Sequence, residues 1–274
     1  MSGIVGLILL GVIVGVLGAI LGIGGGIIMV PVLTFFFGMP IHNAIAVSLA
    51  AITANSMSAS SVYLKNGMAN MNMGIALSIA SAIGAAAGSK IAVRLPQDTV
   101  MIILGLIQIL MAYLTYMKMK KGVKPYSVSV SDKNFFYGEY FDKAADNIIR
   151  YNPVRAGYNI FFGVFSGVFS GLSGAGGGAM LIPGMNIISN IPIKAATATS
   201  SFIIGFTAAA GSAVYIQAGY LEAETACSII FGIFAGTAIS MRFFSKITDK
   251  KVSYLLIILL LSVAVNMIYK GITA

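Results

Sequence analysis

The sequence predicts an all-α polytopic membrane protein made of two homologous helical repeats, each with a glycine-broken short helix. Three observations predict it. Of 274 residues 58% are hydrophobic and 9% charged, with a mean hydropathy of +0.94, which leaves too little polar surface to cover a water-soluble globule. The chain also aligns with itself at a fixed offset, and its 17 cations are placed so that inverted halves give the stronger charge asymmetry.

Apolar stretches able to cross about 30 Å of hydrocarbon at about 1.5 Å per residue lie at 3–21, 43–64, 70–89, 99–117, 156–173, 195–216, 225–241 and 252–269. Eight spans are therefore the minimum expected. The first carries no Lys or Arg before its apolar run and continues into glycine-rich sequence, so it reads as a retained helix rather than a signal peptide.

A shift of 152 residues, without a gap, lays GIGGGIIMVP (22–31) on GAGGGAMLIP (174–183). Gly22, Gly24, Gly25, Gly26 and Pro31 fall on Gly174, Gly176, Gly177, Gly178 and Pro183, and Pro40, Ser48, Tyr63, Gly67 and Gly84 on Pro192, Ser200, Tyr215, Gly219 and Gly236. Three parts follow: a first transmembrane repeat over 1–117, a polar connecting segment over 118–155 expected on the cytoplasmic side, and a second repeat over 156–274. Each repeat reads as a long helix, a glycine break, a short helix (26–37 and 178–189) and three longer helices.

The short helix reaches only about 18 Å at about 1.5 Å per residue, which leaves two topologies. If it re-enters, the expectation is four crossings per repeat and parallel halves. If it crosses, five crossings and inverted halves follow. Parallel halves put seven cations on one face and ten on the other; inverted halves leave only Lys90, Arg94 and Lys270 on one face and the remaining 14 of 17 on the other. The asymmetry favours inversion, with both termini outside.

Within 118–155, YSVSVS alternates like a strand and FDKAADNIIRY reads as a short surface helix. The basic start of this segment suits anchoring on the cytosolic side. The formal charge of +9 does not point to nucleic acid, because the cations lie in short loops and this one segment. Cys227, the single cysteine, is expected to be buried packing; it leaves no disulfide and no cysteine metal cluster.

The chemistry sits at the breaks. Gly24, Gly25 and Gly26, like Gly176, Gly177 and Gly178, interrupt apolar stretches and free backbone N–H groups that hydrocarbon cannot satisfy. Glycine lets backbone approach a bound group, and the helix starting there turns its positive dipole end to the site, a geometry that suits tetrahedral oxyanions. A P-loop or dinucleotide reading fails, since neither the Lys-Ser/Thr pair nor a preceding strand is present. Tight helix packing is the competing explanation of the glycines.

The helix after each proline turn is rich in hydroxyl and amide groups, and the equivalent pairs Ser48/Ser200 and Asn55/Thr207 are expected to face the anion. His42 and Lys194 are also equivalent, and a cation there suits drawing anions into the pathway. Gln108 reads as an interhelical hydrogen bond. No span carries an interior Asp or Glu, and Glu222 and Glu224 sit where a helix start accommodates them, so coupling through a buried carboxylate is not supported.

The duplicated GxGGGxxxxP, followed by a proline turn and an Ala-rich helix with AVSL (46–49) or ATSS (198–201), resembles the TauE/SafE sulfite exporter family, also called the toluene sulfonate uptake permease family. The resemblance covers both repeats. It implies movement of sulfite, sulfonates, sulfoacetate, thiosulfate or a related anion through a multi-pass prokaryotic plasma-membrane protein, driven by a proton or sodium gradient. No enzymatic activity, cofactor or metal is expected; the expected partners are a small anionic substrate and the bilayer. An anion channel with the same site, or a transporter of an unrelated small solute, are the rival readings. The long charged segment 118–155 is where the chain departs most from the family pattern.

Overall fold

The computed structural model describes residues 2–120, 134–142 and 146–243, with isolated positions between 257 and 272. The expected strand YSVSVS and most of the expected span 252–269 lie outside the described residues. The other seven apolar stretches are helical. They form α1 (Ser2–Leu21), α3 (Ile41–Lys65), α4 (Met71–Ala92), α5 (Gln97–Lys120), α6 (Ala156–Ser173), α8 (Ile193–Gln217) and α9 (Ala223–Phe243), joined by the short α2 (Gly26–Phe36) and α7 (Gly178–Ser189). Five of these, α1, α3, α4, α8 and α9, are long and apolar enough to cross a membrane.

Side-chain contacts fix the directions. At Gly22–Gly25 the chain reverses: a Cβ on Gly25 would strike Val14, and Phe37, just past α2, lies against Gly6. α2 therefore runs back along α1 to the end where α1 began. α7 does the same along α6, with Asn159 near the start of α6 donating to Ser189 Oγ at the end of α7. α3 and α8 run antiparallel, since Tyr63 at the end of α3 packs with Ala198 near the start of α8. The short helices thus return, and the two halves nonetheless run in opposite directions. The expected link between re-entry and parallel halves fails because α1 and α2 together leave the chain on its starting side.

Positions 152 apart share backbone geometry. Pro40 and Pro192 precede α3 and α8 with φ −55° and −54°, and Met39 N–H donates to the Leu33 carbonyl as Ile191 N–H does to that of Met185. Tyr63 Oη donates to the Ala19 carbonyl, and Tyr215 Oη to that of Gly171.

Glycine also makes the seams between the halves. α1 packs on α9 and α4 on α6. At these crossings a Cβ on Gly11, Gly15, Gly84, Gly88, Gly167, Gly171, Gly232 or Gly236 would meet backbone of the facing helix. Such close approach is how small residues at a spacing of four associate helices where lipid supplies no hydrophobic drive.

The connecting segment corrects one expectation. Residues expected to form a helix make an antiparallel hairpin, β1 (Gly138–Asp142) and β2 (Asn147–Tyr151), with Tyr140 opposite Ile149. Alternation decides it: Tyr140 and Tyr151 bury against the bundle while Phe141 and Ile148 face outward. Asn70, the N-cap of α4, donates to the Phe136 carbonyl, and Asn72 to that of Phe135. The Asn70 N–H reaches Thr199 Oγ1 on α8. Burial pushes the Tyr151 phenol up to about 12. Cys227 is likewise corrected: it is exposed on α9, because the buried face there is taken by Ala226, Ile229 and Ile233.

Candidate anion site at the paired glycine breaks

Left-handed backbone builds both breaks. Gly22, Gly24 and Gly25 have φ of 64°, 82° and 89°, and Gly174, Gly176 and Gly177 have 66°, 81° and 75°. L-residues with a Cβ pay about 1–2 kcal/mol in that region, which is why glycine recurs there. The breaks meet at mid-height, close to Ile52 and Ile204, each near the midpoint of a 25-residue helix. A Cβ on Gly26 would strike the Gly174 carbonyl, and one on Gly178 the Gly22 carbonyl. The two turns are in direct contact.

The polar pairs expected to face an anion instead bind backbone. Ser48 Oγ donates to the Gly174 carbonyl at 2.8 Å, and Ser200 Oγ to the Gly22 carbonyl at 2.8 Å. Each serine therefore reaches across to the break of the other half. Asn55 Nδ2 donates to the Gly24 carbonyl at 3.0 Å, and its Oδ1 accepts from Thr237 Oγ1 at 2.7 Å. Thr207 departs from that pattern: its Oγ1 donates back to the Ile203 carbonyl and shares a 2.6 Å bond with Ser81 Oγ. Ser166 Oγ donates to the Gly177 carbonyl at 2.8 Å.

The carbonyls of Gly22, Gly24, Gly25, Gly174 and Gly177 are thus occupied while the amides of the two glycine triplets are not. No side chain caps α2 at Gly25 or α7 at Gly177. Among the described residues, the N–H groups of Gly24, Gly25, Gly26, Gly176, Gly177 and Gly178 donate to no carbonyl or side chain. Two helix starts with free donors therefore oppose each other, and both bring positive dipole ends to one place.

His42 and Lys194 are not brought to this centre. They begin antiparallel helices and so lie at opposite ends of the molecule. His42 is buried, its ring stacked on Tyr220 with centroids 5.1 Å apart. Its Nε2 lies 3.0 Å from the Ala92 carbonyl and must carry the proton, since that oxygen only accepts. Beside it, Asn43 Nδ2 donates to Glu222 Oε1.

Sequence reading missed Thr237, Ser81 and Ser166, which have no equivalents with the same chemistry at an offset of 152; those positions hold Ala85, Ile233 and Val14. It also missed Ile52 and Ile204, for which the offset was a usable signal. Among the described residues there is no group of three or more His, Cys, Asp or Glu able to hold a metal.

Membrane-crossing helices around two broken ones that meet at mid-height define a polytopic membrane transporter of the broken-helix class. The chain belongs to the sulfite exporter TauE/SafE family, whose profile matches residues 7–267. It is similar to the probable membrane transporter protein YunE of Bacillus subtilis, 27% identical over 273 residues and 97% of each chain. A second relative, the probable membrane transporter protein YdhB of the same organism, is 25% identical over 86% of each chain. A probable membrane transporter protein of Methanocaldococcus jannaschii is 27% identical over 91% of this chain and 90% of its own. No solved structure matches.

Proposed function

We propose that this chain is a secondary transporter that moves a small sulfur-containing anion, of the sulfite, thiosulfate, organosulfonate or sulfoacetate type, by alternating access. The observation that carries this reading is the pair of uncapped helix starts, with no bond from the amides of Gly24–Gly26 and Gly176–Gly178 among the described residues and the two breaks in direct contact. Amides at a helix start suit oxygens of a sulfonyl group, and neutral donors hold an anion weakly enough to release it. Ser48, Ser200 and Asn55 belong to this site by holding the breaks in shape, and Thr207 stands one step away on the helix of Ser200, bonded to Ser81. Ser48 and Ser200 exchange their carbonyl bonds for bonds to substrate as the halves part.

Opposite-running halves, each with one returning helix pair, suit rocking of one half against the other around a fixed centre. Lys194 then stands at one mouth as a charge that attracts anions, with His42 at the equivalent place of the other half. Lys65, Arg150, Arg155 and Lys194 share the end that carries the hairpin, while Lys90 and Arg94 share the other with His42, so the hairpin end is cytoplasmic. Coupling runs through sodium or the substrate's own proton, because the spans hold no interior carboxylate.

Purified protein in proteoliposomes, given sulfite, thiosulfate, sulfate, taurine or sulfoacetate with imposed pH or sodium gradients, tests the assignment. Saturable, gradient-driven uptake of a sulfur anion is expected. No uptake of any of them removes the substrate class, and flux that never saturates replaces the carrier with a channel.

A further inference from the structure

We infer that Ile52 and Ile204 form a two-residue barrier that covers the free amides of both glycine breaks and sets the size of anion the site admits. This rests on the reading of the breaks as the transport site. The two residues are equivalent at the offset of 152, sit on antiparallel helices, and are completely buried. Each lies over glycines of both halves. A Cβ on Gly24 would meet Cγ2 of Ile52 at 2.8 Å and Cγ2 of Ile204 at 3.2 Å; on Gly176 it would meet the same atoms at 3.2 Å and 3.0 Å. The Cδ1 of Ile52 fills the place of a Cβ on Gly26, and the Cδ1 of Ile204 that of one on Gly178.

Four glycines thus have their missing side-chain volume taken by two side chains. An anion that approaches these glycines on the side their absent Cβ atoms face must displace the isoleucines, since it would have to occupy the space their methyl groups fill. Moving them uncovers amides of both breaks together, so the barrier couples the two halves at one point. β-Branching restricts χ1, so each isoleucine holds its place firmly and moves mainly with its helix. The volume uncovered when α3 and α8 separate is then bounded by these same two side chains, which makes them the size filter.

The test compares wild type with Ile52→Ala, Ile204→Ala, the double alanine variant and Ile52→Phe, in proteoliposomes given sulfite or the bulkier benzenesulfonate. Truncation is expected to raise benzenesulfonate flux relative to sulfite by roughly tenfold, in the range that hydrophobic pocket volume controls. Ile52→Phe is expected to block both anions with unchanged size-exclusion behaviour. Where the alanine variants fail to fold, Ile52→Val and Ile204→Val move the ratio in the same direction by less. A second readout needs no substrate: in a Cys227→Ser background, Ala175→Cys beside the break is expected to react faster with a methanethiosulfonate ethylammonium reagent once either isoleucine is truncated. A wild-type flux ratio together with unchanged labelling overturns the barrier. Faster labelling in a protein that moves neither anion keeps the barrier and removes the transport reading.

Discussion

One methyl group at Gly26 meets the Gly174 carbonyl, Ile52 and Ser48, and one at Gly178 meets Ile204, the Gly22 carbonyl and Ile23. Gly219, at φ +80°, has nothing within 4 Å of the same position. Alanine at Gly219 therefore carries only the backbone strain of about 1–2 kcal/mol. Gly26→Ala and Gly178→Ala are expected to abolish anion uptake in proteoliposomes, and Gly219→Ala to retain it. Serine makes a second contrast. Ser48→Ala or Ser200→Ala leaves a buried carbonyl without its donor and is expected to lower stability by about 1–3 kcal/mol, seen as a lower melting temperature in detergent. Cys227→Ser, on an exposed position of α9, is expected to change neither property. The reach of Ser48 and Ser200 to the opposite half is illegible in sequence, because a hydroxyl chooses among carbonyls that only packing brings within 3 Å.

Among elements, the hairpin shows where local pattern misled. FDKAADNIIRY contains good helix formers, yet alternation of Tyr140 and Tyr151 inward with Phe141 and Ile148 outward gives the segment a buried face only as a strand pair. Its anchor is Asn70, which caps α4 through Oδ1 and holds Phe136 through Nδ2. Asn70→Ala is expected to speed hydrogen exchange and proteolysis across residues 134–151 while α3 and α8 keep their protection. The Arg150–Glu139 ion pair, 3.4 Å apart and solvent-exposed, adds little to this docking. Helices were far more legible than the hairpin. An apolar run of membrane length admits one hydrogen-bonded solution, whereas a polar surface segment takes its form from what it rests on.

For the whole molecule, the decisive feature is that each half returns to its starting side through a two-helix arm before its third helix begins. That parity places the start of α1 and the hairpin at opposite ends. In a Cys227→Ser background, Ser2→Cys and Phe135→Cys are expected to be labelled by an impermeant thiol reagent from opposite faces of the membrane. Labelling of both from one face would require a different number of crossings. The same arrangement puts the seams α1/α9 and α4/α6 between halves and lines them with glycine, so the surfaces where the halves meet are smooth backbone rather than interlocked side chains.

By itself the sequence determined the membrane setting, seven of the apolar helices, the offset of 152 and the two glycine breaks, because hydropathy, helix length and the need for glycine at positive φ are local properties. Tertiary structure decided that α2 and α7 fold back, that Ser48, Ser200 and Asn55 bind carbonyls of the breaks, that His42 and Lys194 stand at opposite ends, and that Ile52 and Ile204 lie over glycines of both breaks. Each of these depends on which residues distant in the chain come within contact, and the antiparallel meeting of α3 and α8 is what brings them there.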